Sequence, residues 1–360
     1  MPWTSGSSRT CSSRARGPWG STRRPWPAIS AVTRCGRIGP SSRRKGADTV
    51  AREDADSLLR RLSPVGGVPA EVQAAAAQAR RIVEDNVGNA VRYVILDCSG
   101  TVMDRYVDGP AIVFVEVFKR FGVSLSMSEA RVPMGLRKDL HIKALTEMPA
   151  IRERWRAAHG RNPDAQDVKD MFAQFVPLQL DILRGGNYSE LLPGVAEVCR
   201  DLQSRGCKIG VTTGFTRDML DILLAGGRKQ GFQPDTSVAG DEVEMPRPMP
   251  YMVIKNLERL GVVNLQNAMR LTVKVDDTVS GTGEGAPMCW RVGVSLWSNY
   301  VVDSWEQARS LSPAELRARE VAAKEKLVRE GGAHYVIDDL RGLPAVIADI
   351  NARLARGENP

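Results

Sequence analysis

A chain of 360 residues can bury one large core or two modest ones without covalent staples. The net charge of +8 comes from 50 Lys/Arg against 42 Asp/Glu. Ten of those 50 lie in residues 1–47, which hold no acid, so the rest of the chain sets 40 basic against 42 acidic residues and has no basic footprint for nucleic acid. The six cysteines (Cys11, Cys35, Cys98, Cys199, Cys207, Cys289) form neither a CxxC pair nor a zinc-spaced cluster, and no stretch nears the roughly 20 apolar residues that span a bilayer. These facts exclude a disulfide scaffold and a helical membrane protein, and point to a reducing compartment.

The acid-free, Ser/Arg/Gly-rich segment 1–47 reads as a disordered extension. An organellar transit peptide, which Trp3, Trp19 and Trp26 fit poorly, a spurious start and a functional basic arm all stay open, so the expected location is cytoplasmic or organellar. Residues 48–90 read as helical, with Pro69 in a first turn. The near-continuous apolar run VRYVIL (Val91–Leu96) fits a central parallel strand and ends at Asp97.

Helical spacing then recurs at Ala111–Phe121, Ser128–Val132, Lys138–Glu147, Ile151–His159 and Ala165–Arg184, with no strand between. An all-helical insertion is therefore expected over 107–186. Beyond it PGVAEVCRDLQSRG predicts a helix, CKIGVTTG a strand, TRDMLDILLAGGRKQG and PYMVIKNLERLGV helices, AMRLTVKVDDT and WRVGVSL strands, and HYVIDDLRGLPAVIADINARL the last elements. This alternation predicts an α/β fold, a doubly wound parallel sheet built from 91–106 and 187–360, with its site at the carboxyl ends of the strands.

Those ends carry Asp97, Thr213 with Gly214, and the pair Asp276–Asp277, while Arg247 lies in the loop MPRPMP. Singly each has a plain role, as a turn or capping aspartate, a turn threonine or a surface arginine. Together they suit phosphoryl transfer. A carboxylate can attack phosphorus, carboxylates bind Mg²⁺ through oxygen, and a hydroxyl and a guanidinium can hold the phosphoryl oxygens. Gly100 allows a sharp turn after Asp97.

With these residues in this order the chain resembles the haloacid dehalogenase superfamily, which carries DxxGTVxD (here Asp97–Asp104), a threonine after a strand, a basic residue and a late acidic site, and often a helical cap after the first motif. Within that superfamily EARVPMGLRKDLHIKALTEMP (Glu129–Pro149) looks like the cap segment of the phosphonoacetaldehyde hydrolases, or phosphonatases. VTTGFTRDMLDI, RPMPYMVIKN, KVDDTVSG and EGGAHYVID extend the similarity, so that it spans about Val91 to Leu354.

The resemblance implies cleavage of the carbon–phosphorus bond of phosphonoacetaldehyde in 2-aminoethylphosphonate breakdown, by a homodimer whose partner is a small phosphonate and neither nucleic acid nor membrane. It further implies a Schiff base on Lys138, an aspartyl phosphate on Asp97, Mg²⁺ on Asp97, Ser99 and Asp277, and substrate contacts from Thr213, Gly214, Arg247, Met134 and His141. Carbon is a poor leaving group from phosphorus, and a protonated imine beside it provides the electron sink that lets it depart as an enamine. Ser99 fits this chemistry, because superfamily phosphatases place a general acid at that position and phosphonatases a small residue.

Three positions depart from the family. The motif GDTVSD appears here with Asp276 in place of glycine and Gly281 in place of the second aspartate, which leaves Asp276 or Glu284 to serve the metal's outer shell. Phe215 replaces a tyrosine and Val107 a cysteine. Another phosphatase of the superfamily, or a catalytically dead binding protein, are the competing readings.

Overall fold

The computed structural model describes residues 69–75, 77, 79, 88–286 and 288–360, all in the second of the two units into which the chain divides, Pro64–Pro360. The extension expected at 1–47 lies outside the described residues, as does most of 48–90. Within the latter, residues 70–75 are helical.

Six parallel strands form one sheet: β1 (Tyr93–Asp97), β2 (Lys208–Thr213), β3 (Thr236–Ala239), β4 (Thr272–Asp276), β5 (Trp290–Val294) and β6 (Tyr335–Ile337), in the order β3-β2-β1-β4-β5-β6. The apolar run of β1 is buried at every residue, as helices on both faces of a parallel sheet demand. From β1 the chain winds outward to β3 and then returns to place β4 on β1's other side. That reversal opens a crevice at the carboxyl ends of β1 and β4, where Asp97 and Asp276 end their strands.

The doubly wound sheet matches the expectation, and several elements go beyond it. β3 is a four-residue edge strand, TSVA, helices cover Trp305–Ser310 and Pro313–Arg329, and the segment AMR, expected as strand, ends the helix Leu265–Arg270. No helix among the described residues is long and apolar enough to cross a membrane. Cys98, Cys199, Cys207 and Cys289 are buried and unpaired.

Between β1 and β2 stands the helical cap: α1 (Asp108–Arg120), α2 (Met127–Arg131), α3 (Lys138–Glu147), α4 (Pro149–His159) and α5 (Ala165–Gly185). Phe114, Phe118, Trp155, Met171 and Phe175 are fully buried at its centre. Ser126 and Asp164 open α2 and α5 with capping boxes to Glu129 and Asp167.

The cap leaves the sheet through a strained linker. Asp104, Tyr106 and Val107 take φ of 54°, 60° and 59° without a glycine among them, at a cost of about 1–3 kcal/mol each. The β-branched Val107 is the least suited to that region. Neighbouring groups hold the strain in place. Trp297 O accepts from Tyr106 N–H at 3.0 Å. The buried Arg131 guanidinium donates to Tyr106 O, to Asp303 O at 3.0 Å and to Asn299 Oδ1 at 3.2 Å, and pairs with Asp108.

Arg131→Met should therefore destabilise the protein by about 3–5 kcal/mol in urea unfolding, because it strands Asp108 and three backbone or amide acceptors. Arg120→Ala, which opens an exposed pair with Glu116, should cost roughly 0.3–0.5 kcal/mol.

Candidate active site

The strand ends and the cap enclose one small cavity lined by Asp97, Ser99, Met134, Lys138, Thr213, Gly214, Phe215, Arg247 and Asp277 among others. Every site residue expected from sequence lines it except His141. Asp97 is the last residue of β1 and pairs in register with Thr212 of β2, so Thr213 and Gly214 stand just beyond it. Gly100, at φ 83°, turns the chain after Asp97, and a Cβ there would stand 2.5 Å from the Asp277 carboxylate. Only glycine lets these two acidic segments approach so closely.

The floor of the site is a cluster of buried charges. Arg247 donates through Nη2 to Asp97 at 2.7 Å and faces Asp276 at 3.2 Å, while its Nε donates to Glu284 at 3.0 Å. Lys274 Nζ, fully buried on β4, donates to Asp276 and to Thr212 Oγ1, each at 2.9 Å. Thr212 Oγ1 in turn donates to Glu284 at 3.0 Å.

Burial and then the Asp276 carboxylate raise the Asp97 pKa, against the pull of Arg247. Asp276 lies below its ordinary value, because Arg247 and Lys274 outweigh its burial. Asp277 is pushed far up by burial and then by its acidic neighbours Asp97 and Asp276. Lys274 was not singled out from sequence, although a lysine inside the apolar strand LTVKVD is itself a signal of a buried charge needing partners.

A cation fits this arrangement. Asp97, Asp276 and Asp277 each bring an oxygen within 4.8 Å of the others. Asp277 Oδ2 accepts from Asn299 N–H at 2.8 Å, but its buried Oδ1 lacks any hydrogen-bond partner. Three converging carboxylates, one of them with an unpaired oxygen, are the donor set of a hard divalent ion.

From above, α3 supplies Lys138 at its first turn. The side chain is buried, and its Nζ lies 4.6 Å from the Phe215 ring centroid and 5.7 Å from that of Phe114. Burial lowers its pKa to about 8, with Arg247 adding to the fall and Asp97 opposing it. About a tenth of the amine is then neutral at pH 7, against well under a thousandth at the ordinary lysine value, and it is the neutral form that attacks a carbonyl.

His141, one turn on, is buried outside the cavity wall. It stacks on Phe114 with centroids 3.7 Å apart, and its Nε2 is bonded to Ala130 O at 2.8 Å. Burial and then Lys138 push its pKa well below the ordinary value, so the ring is neutral, and its Nδ1 has no hydrogen-bond partner. Met134 is buried on the cap side with Val107 and Ala111.

A model of the haloacid dehalogenase-like hydrolases matches residues 91–286. Phosphonoacetaldehyde hydrolase of Paraburkholderia phytofirmans is 41% identical over 271 residues, covering 75% of this chain and 99% of its own. That of Klebsiella pneumoniae is 40% identical over 275 residues, covering 76% and 100%. Among solved structures, a phosphonoacetaldehyde hydrolase-like protein from Oleispira antarctica superposes with a TM-score of 0.70 at 36% identity, covering 75% of this chain and 96% of that one.

The closeness of cap to core is testable at Gly214, where a Cβ would overlap the carbonyl oxygen of Leu136. Gly214→Ala should cost about 1–3 kcal/mol in urea unfolding. At the exposed helical Gly185, where nothing lies within 4 Å, alanine should instead be neutral or stabilising by roughly 0.5–1 kcal/mol.

Proposed function

Because the chain belongs to the haloacid dehalogenase-like hydrolases and, among them, to the phosphonoacetaldehyde hydrolases, we propose that it hydrolyses phosphonoacetaldehyde to acetaldehyde and phosphate, with Lys138 and Asp97 as its two nucleophiles. The observation that carries this reading is the placement of a buried amine from the cap and a buried carboxylate from β1 in one cavity. Hydrolysis of a phosphate ester does not require a nucleophilic amine.

In the proposed sequence neutral Lys138 adds to the aldehyde carbon, and the adduct takes up a proton and loses water to give a protonated imine. An Asp97 oxygen then forms a bond to phosphorus as the carbon–phosphorus bond breaks, and the bonding pair moves onto carbon as an enamine. Protonation at carbon and hydrolysis of the imine release acetaldehyde and regenerate Lys138. A second water splits the aspartyl phosphate and frees Asp97.

Thr213, Gly214 and Arg247 surround the position of the phosphoryl oxygens, where hydrogen-bond donors offset the charge of the transition state. His141 Nδ1, with Nε2 already bonded to Ala130, is the proton acceptor available one turn from Lys138. The Asp97 and Asp277 carboxylates and the Ser99 carbonyl would hold magnesium, which would supply positive charge to keep these acids ionised and to neutralise the phosphoryl group.

Borohydride added with phosphonoacetaldehyde should leave a two-carbon adduct on Lys138, read by peptide mass spectrometry. Lys138→Arg keeps the charge but cannot form an imine, and should lose activity by at least about 10³-fold, the scale expected when a covalent nucleophile is removed. Activity retained in Lys138→Arg, or faster phosphate release from simple phosphate monoesters, would count against the proposal.

The depressed lysine pKa sets the sign of the pH dependence. The amine is protonated and unreactive below its pKa, so kcat/KM should rise about tenfold per pH unit below about 8 and level off above it. Phosphate release measured across that range checks the slope.

A further inference from the structure

Gly281 has no room for a side chain. A Cβ built there would overlap the carboxyl carbon and both oxygens of Asp276, so that carboxylate occupies the volume any other residue at 281 would claim. The two positions bracket the segment that presents Asp277. Asp276 closes β4, and Gly281 lies in the single helical turn Val279–Gly283.

Asp276 ties this segment together. Its Oδ1 accepts from Thr278 N–H at 2.9 Å and from Thr278 Oγ1 at 2.8 Å, and that hydroxyl oxygen accepts from Gly281 N–H at 3.1 Å. Its Oδ2 accepts from Lys274 at 2.9 Å and faces Arg247 at 3.2 Å. Asp277, the residue between, is left with Oδ2 on the Asn299 N–H and Oδ1 unpartnered. Glu284 lies on the other side of the cluster, its Oε2 taken by Arg247, Thr212 and Lys274.

Resting on the magnesium reading above, we propose that Asp276 is a positioning residue for the metal site and that Gly281 is its obligatory counterpart. The Asp276 carboxylate enters from the strand through the space left open at 281, and from there fixes the turn that aims Asp277 Oδ1 at the ion. The aspartate absent at 281 is thus replaced by one five residues earlier, and neither position tolerates change without the other.

The test is Mg²⁺ binding to the full chain, followed by calorimetry and by the Mg²⁺-dependent shift in melting temperature. Asp276→Asn keeps the side-chain shape and should weaken Mg²⁺ binding by roughly 10–100-fold. Because it also removes a buried counter-charge of Lys274 and Arg247, its metal-free melting temperature should fall, and affinity is compared below that temperature. Gly281→Asp alone should weaken it at least as much and also lower the melting temperature. The double variant Asp276→Gly/Gly281→Asp should recover to within about threefold of the parent, the non-additivity expected of two positions that share one volume.

Parent-like affinity in Asp276→Asn overturns the proposal, as does a double variant that is unfolded or binds no more tightly than the weaker single. A parent protein that fails to bind Mg²⁺ would remove the magnesium reading itself, a result distinct from unchanged affinity in Asp276→Asn.

Discussion

Charges shut away from water must be paired with one another, and that constraint organises the carboxyl end of the sheet. Asp97, Asp276, Asp277 and Glu284 are all buried, with Arg247 and Lys274 among them as cations. The protein's own cations reach three of these acids: Arg247 and Lys274 converge on Asp276 and Glu284, and Arg247 also reaches Asp97. Among the described residues the Asp277 carboxylate has no ion pair and accepts one hydrogen bond, from Asn299 N–H on its Oδ2. Four carboxylates against two cations leave the cluster short of positive charge, and Asp277 is the acid with which neither cation pairs.

This constraint also marks how far the sequence could be read. β1 was legible because a parallel strand buried on both faces is apolar throughout, and β4 because valines flank its one lysine; the acids of both strands fall at their ends. The five cap helices were legible from their 3.6-residue spacing. The edge strand β3 was not, since TSVA is too short to show alternation and only half of it is buried. The helix Pro313–Arg329 is mostly exposed and rich in charge, so its apolar periodicity is faint, although the capping box of Ser312 and Glu315 marks its start.

At the site, Asp97, Thr213, Arg247, Asp277 and Lys138 could be named in advance because each stands in a recognisable run, and all five line the cavity. The partners that arrange them could not. Asn299 meets Asp277 across 22 positions and Thr212 meets Glu284 across 72, and no local pattern announces either contact. Gly281 read as a loss when considered alone. Only the Asp276 carboxylate lying against it shows that the space is used. The same holds for Arg131, an ordinary helix arginine by position, which joins the strained linker to Asn299 and so ties the cap to the residue that holds Asp277.

The burial of Lys138 has a consequence for timing. Its basicity falls because the cap seats it against Phe114 and Phe215, out of water. With the cap raised, the same amine would be hydrated and would return toward the ordinary lysine value, almost wholly protonated at neutral pH. On the proposed chemistry the nucleophile is therefore about two orders of magnitude more abundant under the cap than in water. A molecule too large for the cap to settle over would meet an ammonium ion instead of an amine. Aldehydes too bulky to be covered would react slowly by the same rule, without any residue devoted to excluding them.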